Sequence, residues 1–259
     1  MISGAQSPTA DATLYAKWTA NTYTITYNYN GATGGNGTTS ATFTSGGSAV
    51  TLPTPTKTGY TFAGWYAESI FTNLVSGPQS PTADVTLYAK WTANTYTLTY
   101  TYNGATGGNG TTSATFTSGG SAITLPTPTK TGYTFAGWFA ESTFNTQVSG
   151  PQSPTADATL YAKWTANTYT LTYNYNGATG GNGTSSATFT SGGSAITLPT
   201  PTKAGYTFAG WFAESTFNTQ VSGPQSPTAD ATLYAKWTAN TYTITYSYNG
   251  ATGGNSTLT

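Results

Sequence analysis

Cysteine, histidine and arginine are all missing from this chain of 259 residues. Without cysteine there is no disulfide bond, thiol nucleophile or cysteine-bound zinc, and without histidine the commonest general base is missing too. Charge is also scarce, because seven lysines balance seven acidic residues and the net charge is zero. A neutral chain does not attract nucleic acid or an anionic membrane surface, so we expect neither as a partner.

Long apolar runs and targeting signals are absent as well. No stretch approaches the roughly 18 apolar residues of a membrane-spanning helix, so we expect no membrane insertion by this fragment. No segment has a 3.6-residue hydrophobic period over ten residues, which argues against long helices. If the parent protein is secreted, its export signal and anchor lie outside the fragment.

Aromatic residues, in contrast, make up 15% of the chain. Burying one such ring contributes about 2–3 kcal/mol, against about 1–2 kcal/mol to order the backbone of one residue. The polarity comes from threonine, serine, asparagine and glycine rather than from charge. We therefore expect a folded protein and not a low-complexity coil.

An internal repeat of 73 residues organises the whole chain. The motif Leu-Tyr-Ala-Lys-Trp ends every 73 residues, at Trp18, Trp91, Trp164 and Trp237. We predict three full repeats, and parts of two more, with these bounds: 1–21 as the C-terminal part of a preceding repeat, 22–94, 95–167 and 168–240 as repeats 1 to 3, and 241–259 as the N-terminal part of a following repeat. We interpret Met1 as an introduced start and the chain as a window cut from a longer array.

Each repeat reads as a series of short β-strands. In residues 22–29 aromatic and β-branched side chains alternate with polar ones, which is typical of a half-buried strand. The glycine-rich segment 31–37 predicts a hairpin turn into a return strand at 42–44. A short strand is predicted at 49–52, where Pro53 ends it.

The second half of the repeat is predicted to hold two more main strands. One covers 60–67, with Gly64 as a bulge, and the last covers 85–91. Residues 80–84 suggest a single helical turn. The predicted fold is therefore mainly β, α+β at most, with four main strands in each repeat and with Ile25, Phe62, Leu87 and Trp91 in the core.

Two motifs resemble the Listeria–Bacteroides repeat family, also known as internalin B-type repeats. They are Pro53-x-Pro55-x-Lys57-x-Gly59-Tyr60-x-Phe62-x-Gly64-Trp65-Tyr66 and Thr86-Leu87-Tyr88-Ala89-Lys90-Trp91. The resemblance implies small β-grasp-like (ubiquitin-like) modules strung in tandem on bacterial surface proteins, with the first and last strands parallel at the centre of each sheet. Such a tandem array is expected to form an extended rod.

Few residues of the repeat are candidates for catalysis or for binding a metal or cofactor. Glu68 and Asp84 are the acidic residues of the first repeat, and we interpret them as a surface strand end and a turn or cap residue. We predict no catalytic residue, so the protein is not expected to be an enzyme. Two lone carboxylates do not make a metal site. Residues 31–37 lack the Lys-Ser/Thr ending of a phosphate loop, so no cofactor-binding residue and no cofactor are predicted.

Two sets of side chains leave alternatives open. We interpret Lys90 as a solvent-facing lysine that protects a β-surface from aggregation, the alternative being an intramolecular amide bond of the kind that strengthens bacterial fibres. A second set is interpreted as core and inter-repeat packing, with an aromatic sugar-binding platform as the alternative: Tyr27, Tyr66, Tyr88 and Trp91.

The function we predict is structural. The chain is expected to be part of an extracellular, cell-surface protein of a bacterium, acting as a stalk or adhesive fibre whose partners are neighbouring repeats of the same chain. One alternative is a module that binds a glycan or host protein through exposed aromatics. Another is a self-assembling filament subunit, joined head to tail through 1–21 and 241–259. Ranks of Thr22, Thr24 and Thr26 suggest a weaker third alternative, an ice- or crystal-binding surface.

Overall fold

The computed structural model describes residues 3–181, 183–247, 249–250 and, for the backbone alone, 257–258. All regular structure in these residues is β-strand. None of them belongs to a helix that is long and apolar enough to cross a membrane. Three five-stranded sheets follow one another along the chain, so the prediction of a mainly β tandem repeat is confirmed.

The strands of the three sheets recur at equivalent positions. The first sheet contains β1 (Thr22–Asn28), β2 (Ser40–Thr44), β3 (Tyr60–Tyr66), β4 (Leu74–Val75) and β5 (Val85–Ala93). The second contains β6 (Thr95–Thr101), β7 (Ser113–Thr117), β8 (Tyr133–Phe139), β9 (Gln147–Val148) and β10 (Ala158–Ala166). The third contains β11 (Thr168–Asn174), β12 (Ser186–Thr190), β13 (Tyr206–Phe212), β14 (Gln220–Val221) and β15 (Ala231–Ala239).

The strand order of the first sheet is β2-β1-β5-β3-β4, and the other two sheets repeat it. The first and last strands, β1 and β5, are parallel neighbours at the centre, with Ile25 opposite Val85 and Tyr27 opposite Leu87. The remaining pairs are antiparallel. This central parallel pair is the arrangement that the family resemblance implies, whereas classification as a β-grasp stays a prediction.

A bulge interrupts the pairing of β3 with β5. Phe62 lies opposite Trp91, but the residue opposite Lys90 is Gly64. Ala63 of β3 is therefore skipped in the pairing. Gly64 has φ = 125°, a backbone conformation that residues with a Cβ rarely adopt. The bulge predicted at Gly64 is therefore confirmed.

Two local predictions differ from the structure, and one strand was missed. Residues 80–84 form a bend and no helical turn, because the Asp84 carboxylate holds the end of this segment against the Thr24 amide of β1. The strand predicted at 49–52 is reduced to one bridge between Val50 and Gln79. The two-residue strand β4 was not predicted.

The core of the first repeat lies on one face of its sheet and consists of Ile25, Tyr27, Trp65, Leu87 and Ala89. The predicted burial of Ile25 and Leu87 is confirmed. The other two predicted core residues, Phe62 and Trp91, are only half-buried and pack against this cluster from its border.

The indole of Trp65 takes the central place in this core. Its ring centroid lies 5.2 Å from that of Tyr27 and 5.3 Å from that of Tyr29. Phe62 and Trp91 pair with each other at 5.3 Å. The prediction that Phe62 and Trp91 are largely buried is therefore met only in part, because Trp65 already fills the space between the central strands and the 50–55 segment.

The described chain divides into two compact units. The first comprises Met1–Leu98, Ala114–Ile123 and Gln152–Ala158, and includes the complete first sheet. The second comprises Thr99–Ser113, Thr124–Pro151 and Thr159–Thr259, and includes the complete third sheet.

The two partial repeats at the ends differ from the complete ones. Residues 3–21 contain no strand, although the last strand of a repeat was predicted there, because this segment includes no first strand to pair with it. Leu14 and Trp18 are exposed, whereas Leu87, the equivalent of Leu14 in the first repeat, is buried. In the closing part, β16 (Ile244–Thr245) pairs with β17 (Thr257–Leu258).

Candidate functional site

Consecutive repeats are connected by a single residue. Strand β5 ends at Ala93 and β6 begins at Thr95, which leaves only Asn94 between them. The backbone N–H of Asn94 donates to the Gly59 carbonyl at 2.9 Å, and its carbonyl accepts from the Ser118 N–H at 2.9 Å. The connecting residue is therefore tied to the repeat before it and to the repeat after it.

The side chain of Asn94 is engaged as well. Its Oδ1 accepts a hydrogen bond from the Thr61 hydroxyl at 2.7 Å, and its Nδ2 donates to the Tyr96 hydroxyl at 3.2 Å. Each of the four polar groups of Asn94, two in the backbone and two in the side chain, thus has a partner. Because each net hydrogen bond contributes about 0.5–1.5 kcal/mol, the connection has few free conformations.

Direct contact between neighbouring repeats adds to these bonds. The Tyr60 hydroxyl donates to the Ser118 carbonyl at 3.2 Å. Gly59 has φ = 80°, and a Cβ built on it would lie 2.6 Å from the Ser118 Oγ. Gly59 is required here both for its positive φ and for this close approach. We call the group formed by Gly59, Tyr60, Thr61, Asn94 and Ser118 the joint.

The same joint forms between the second and third repeats. Asn167 donates its N–H to the Gly132 carbonyl at 2.9 Å, and its carbonyl accepts from the Ser191 N–H at 2.9 Å. Its Oδ1 accepts from the Thr134 hydroxyl at 2.7 Å, and Tyr133 donates to the Ser191 carbonyl at 3.2 Å. The joint is therefore a repeated feature of the array.

A second repeated feature is a cleft lined by lysines and aromatic rings. In the first repeat it has a volume of about 420 Å³, and in the second about 500 Å³. We call it the lysine–aromatic cleft. In the first repeat its functional groups come from Asn30, Lys57, Tyr60, Phe71, Tyr88, Lys90 and Trp91.

Lys57 is held firmly in one wall of the cleft. Its ammonium donates to the Asn30 carbonyl at 3.0 Å and lies 4.6 Å from the centroid of the Tyr60 ring. An ammonium over a ring face is attracted by the negative face of the π-system. The Asn30 side chain in turn donates to the Ala89 carbonyl at 2.8 Å, so the loop that receives Lys57 is anchored to β5.

Lys90 is half-buried and not simply solvent-facing. Its ammonium lies 4.9 Å from the centroid of the Tyr66 ring and 5.7 Å from that of Phe71. Within the described residues, no hydrogen bond or ion pair joins either Lys57 or Lys90 to a carboxylate. The solvent-facing interpretation of Lys90 is corrected accordingly: its ammonium lies against two neighbouring rings, and its side chain is only partly exposed.

Two residues of the cleft have unusual backbone angles. Phe71 has φ = 58° and Asn30 has φ = 47°. Asparagine tolerates this region, but a bulky aromatic residue there is a genuine outlier and costs about 1–3 kcal/mol. The equivalent residues in the other repeats share these angles: Asn103, Phe144, Asn176 and Phe217.

The two carboxylates of the repeat serve local structure. Asp84 Oδ1 accepts from the Thr24 N–H at 2.7 Å, which extends the β1–β5 pairing by one bond. Glu68 accepts from the Asn73 side-chain amide at 2.6 Å and from the Thr72 hydroxyl at 3.0 Å. The Asn73 bond is the main cause that lowers the pKa of Glu68. Glu68 and Asp84 share no partner, in keeping with their interpretation as a surface strand end and a turn or cap residue.

The glycine-rich segment 31–37 connects β1 to β2, as predicted for a hairpin, and also docks on another part of the repeat. Thr33 donates its N–H to the Thr56 carbonyl at 2.8 Å, and the Thr56 N–H donates to the Gly34 carbonyl at 2.9 Å. A Cβ on Gly35 would lie 2.8 Å from the Thr54 carbonyl oxygen. The glycines therefore serve close backbone packing.

Of the four aromatic residues considered for a sugar-binding platform, only Tyr27 lies apart, since Tyr66 is directly opposite Tyr88 on the neighbouring strand. Tyr27 is in the core, where burial first and the neighbouring Tyr29 second raise its pKa. Tyr88 and Trp91 line the cleft, and Tyr66 lies under the Lys90 ammonium. Phe71 and Asn30 were not predicted as cleft residues, because nothing in the local sequence signals a left-handed phenylalanine or brings Asn30 to the cleft.

The repeats of this chain are similar to those of known proteins. The family model of the Listeria-Bacteroides repeat domain matches residues 23–90, 96–163 and 169–236. Two relatives come from Evansella cellulosilytica, a protein described as a Gly-rich membrane protein and another described as a membrane protein. Both are 34% identical, over 93% and 95% of this chain. The chain spans 27% and 36% of their lengths. Internalin H of Listeria monocytogenes is 38% identical over 44% of this chain and 20% of its own length.

Proposed function

Because the chain belongs to the Listeria–Bacteroides repeat family, we propose that it is a non-catalytic stalk or adhesive fibre segment of a bacterial cell-surface protein. The joint is the observation that carries this proposal. A stalk must hold its modules in a defined direction, and a connection of one fully hydrogen-bonded residue restricts relative motion far more than a flexible linker does.

The direction of the chain through each repeat also supports a stalk. Strands β1 and β5 are parallel, so the chain enters a repeat at one end of the sheet and leaves it at the other. Modules joined in this way add lengthwise. We propose that they form an extended rod of β-grasp-like modules with a spacing of roughly 30–40 Å, given a module diameter near 30 Å for about 73 residues.

A location outside the cell is supported by the relatives. Two of them are described as membrane proteins, and a third is an internalin. A chain that spans about a quarter to a third of such proteins fits the role of a spacer between their other parts. The carboxylates are engaged in loop and strand hydrogen bonds, which supports a structural role over a catalytic one.

Small-angle scattering of the 259-residue chain tests the rod. Three modules in a row span on the order of 100 Å, which corresponds to a radius of gyration of about 30 Å, whereas a compact globule of this length has about 18 Å. We expect the larger value, independent of protein concentration. A value near the compact one means that the repeats fold back on each other, and the stalk is then excluded.

A further inference from the structure

We propose that the lysine–aromatic cleft is a binding site for acidic carbohydrate, with one site in each repeat. The ligand is a sugar residue that carries a carboxylate or sulfate group. The proposal does not rest on the stalk function. The repeats could form a rod without binding a ligand, and they could bind a ligand without forming a rod.

The distribution of charge points to an anionic ligand. The chain has only seven lysines, and every one except Lys17 lies in a complete repeat, at the position of Lys57 or of Lys90. In the third repeat Lys203 and Lys236 make the same ring contacts as their equivalents in the first. Nearly all the positive charge of a neutral protein is thus placed at the clefts, while Asp84 is bonded to β1 and Glu68 to its own loop.

The Lys90 ammonium has the hydrogen-bonding capacity that such a ligand requires. It has three N–H donors, and its described contacts are with the faces of Tyr66 and Phe71, which satisfy its charge only in part. Lys57 uses one donor on Asn30. An acid group of the ligand would supply charge-assisted acceptors for the remaining donors.

Aromatic walls favour a sugar over a simple anion. Tyr60, Tyr88 and Trp91 present half-buried rings to the cleft, and the negative face of such a ring attracts the polarised C–H groups of a pyranose. The volume of about 420 Å³ is typical of small-molecule sites. A sugar ring can stack on an aromatic wall of the cleft while its acid group reaches a lysine ammonium, so the rings and the lysines bind the ligand together.

Backbone strain is concentrated at the same place. In the first repeat the two non-glycine residues with positive φ, Asn30 and Phe71, both line the cleft. Strain of this kind clusters at binding sites, where the surrounding structure maintains it. Because the feature recurs with each repeat, a polymeric ligand that contacts several clefts at once would be bound with avidity.

Binding of the unmodified 259-residue chain to four polymers tests the ligand class. The polymers are polygalacturonate (carboxylated sugar), dextran sulfate (sulfated sugar), dextran (uncharged sugar) and polyphosphate (charge without a sugar ring). We expect at least one acidic polysaccharide to bind at least tenfold more tightly than dextran and than polyphosphate, and the better of the two identifies the acid group. Equal binding of polyphosphate shows recognition of charge alone and overturns the proposal, as does no binding of either acidic polysaccharide.

Variants locate the site. The single changes Lys163→Gln and Lys17→Gln each remove one positive charge from the same Leu-Tyr-Ala-Lys-Trp motif, but only Lys163 lies in a cleft. We expect Lys163→Gln to weaken binding severalfold and Lys17→Gln to change it less than twofold. A triple change to Gln at Lys90, Lys163 and Lys236 should lower affinity at least tenfold, and the triple change to Arg should retain it. Equal effects of the two single changes contradict the assignment.

Discussion

At the scale of single residues, burial separates two tryptophans that the sequence presents as alike. Trp65 is 3% exposed and donates its indole N–H to the Pro53 carbonyl at 2.8 Å. Trp91 is half-buried and donates to the Tyr29 carbonyl at 3.0 Å. Both end a conspicuous motif, yet only Trp65 lies at the centre of the core.

We expect Trp65→Ala to lower the stability of the first repeat by about 3–5 kcal/mol, as large-to-small changes in a core do. Trp91→Ala should cost less, about 2–3 kcal/mol, because part of its ring is already in water. Hydrogen exchange of the first-sheet amides measures both. A greater loss from Trp91→Ala would reverse the assignment of the core, and a loss under about 1 kcal/mol would make Trp91 a surface residue.

At the scale of the elements, the joint depends on a glycine whose two requirements can be separated. Gly132 and Gly205 occupy equivalent turns and have φ values of 79° and 78°. A Cβ on Gly132 would lie 2.6 Å from the Ser191 Oγ, whereas a Cβ on Gly205 would meet nothing within 4 Å. Gly205 is therefore a matched control for the backbone conformation alone.

We predict that Gly205→Ala costs about 1–2 kcal/mol, because a Cβ in the left-handed region lies too close to the following carbonyl oxygen. Gly132→Ala should cost about 1–3 kcal/mol more, because its Cβ also overpacks the joint. Urea unfolding of the two variants measures the difference. Equal costs would show that Ser191 moves aside freely and that the joint is loosely packed.

At the scale of the whole molecule, the stalk proposal requires that the joints limit bending. Asn94 and Asn167 each bond to both neighbouring repeats. Asn240 has the equivalent bonds to Gly205 and Thr207, but in the 259-residue chain it is followed only by residues 241–259. Truncating the Asn240 side chain should therefore lower local stability by the same amount, without loosening a connection between complete repeats.

We expect Asn94→Ala combined with Asn167→Ala to broaden the distance distribution between the first and third repeats, and Asn240→Ala to leave it unchanged. Because the chain has no cysteine, spin labels can be attached at Ser48→Cys and Ser194→Cys, two exposed positions. Pulsed electron resonance reports the distribution. An unchanged width in the double variant would mean that side-chain bonds do not stiffen the joint.

Local sequence determined much of this protein without tertiary information. The 73-residue period predicted repeated sheets, and the alternation in 22–29 predicted β1, because a period of two places side chains on opposite faces of a strand whatever lies around it. The bulge at Gly64 was predictable for a similar reason, since glycine inside a strand pattern commonly marks a skipped residue. Asp84 was recognised as a cap residue but not as the partner of Thr24, which lies 60 residues away.

Only the tertiary structure decided which aromatic residues form the core and which line the cleft. Trp65 and Trp91 follow equally apolar patterns, and their burial depends on which one faces the 50–55 segment. The left-handed Phe71 and its contact with Lys90 have no local signal, because they arise when the 68–73 loop folds over β5. The joint likewise combines Gly59, Asn94 and Ser118, which approach each other only when two adjacent repeats are both folded. Periodicity is a property of neighbouring residues, whereas sites in this protein are made by contacts between residues tens of positions apart.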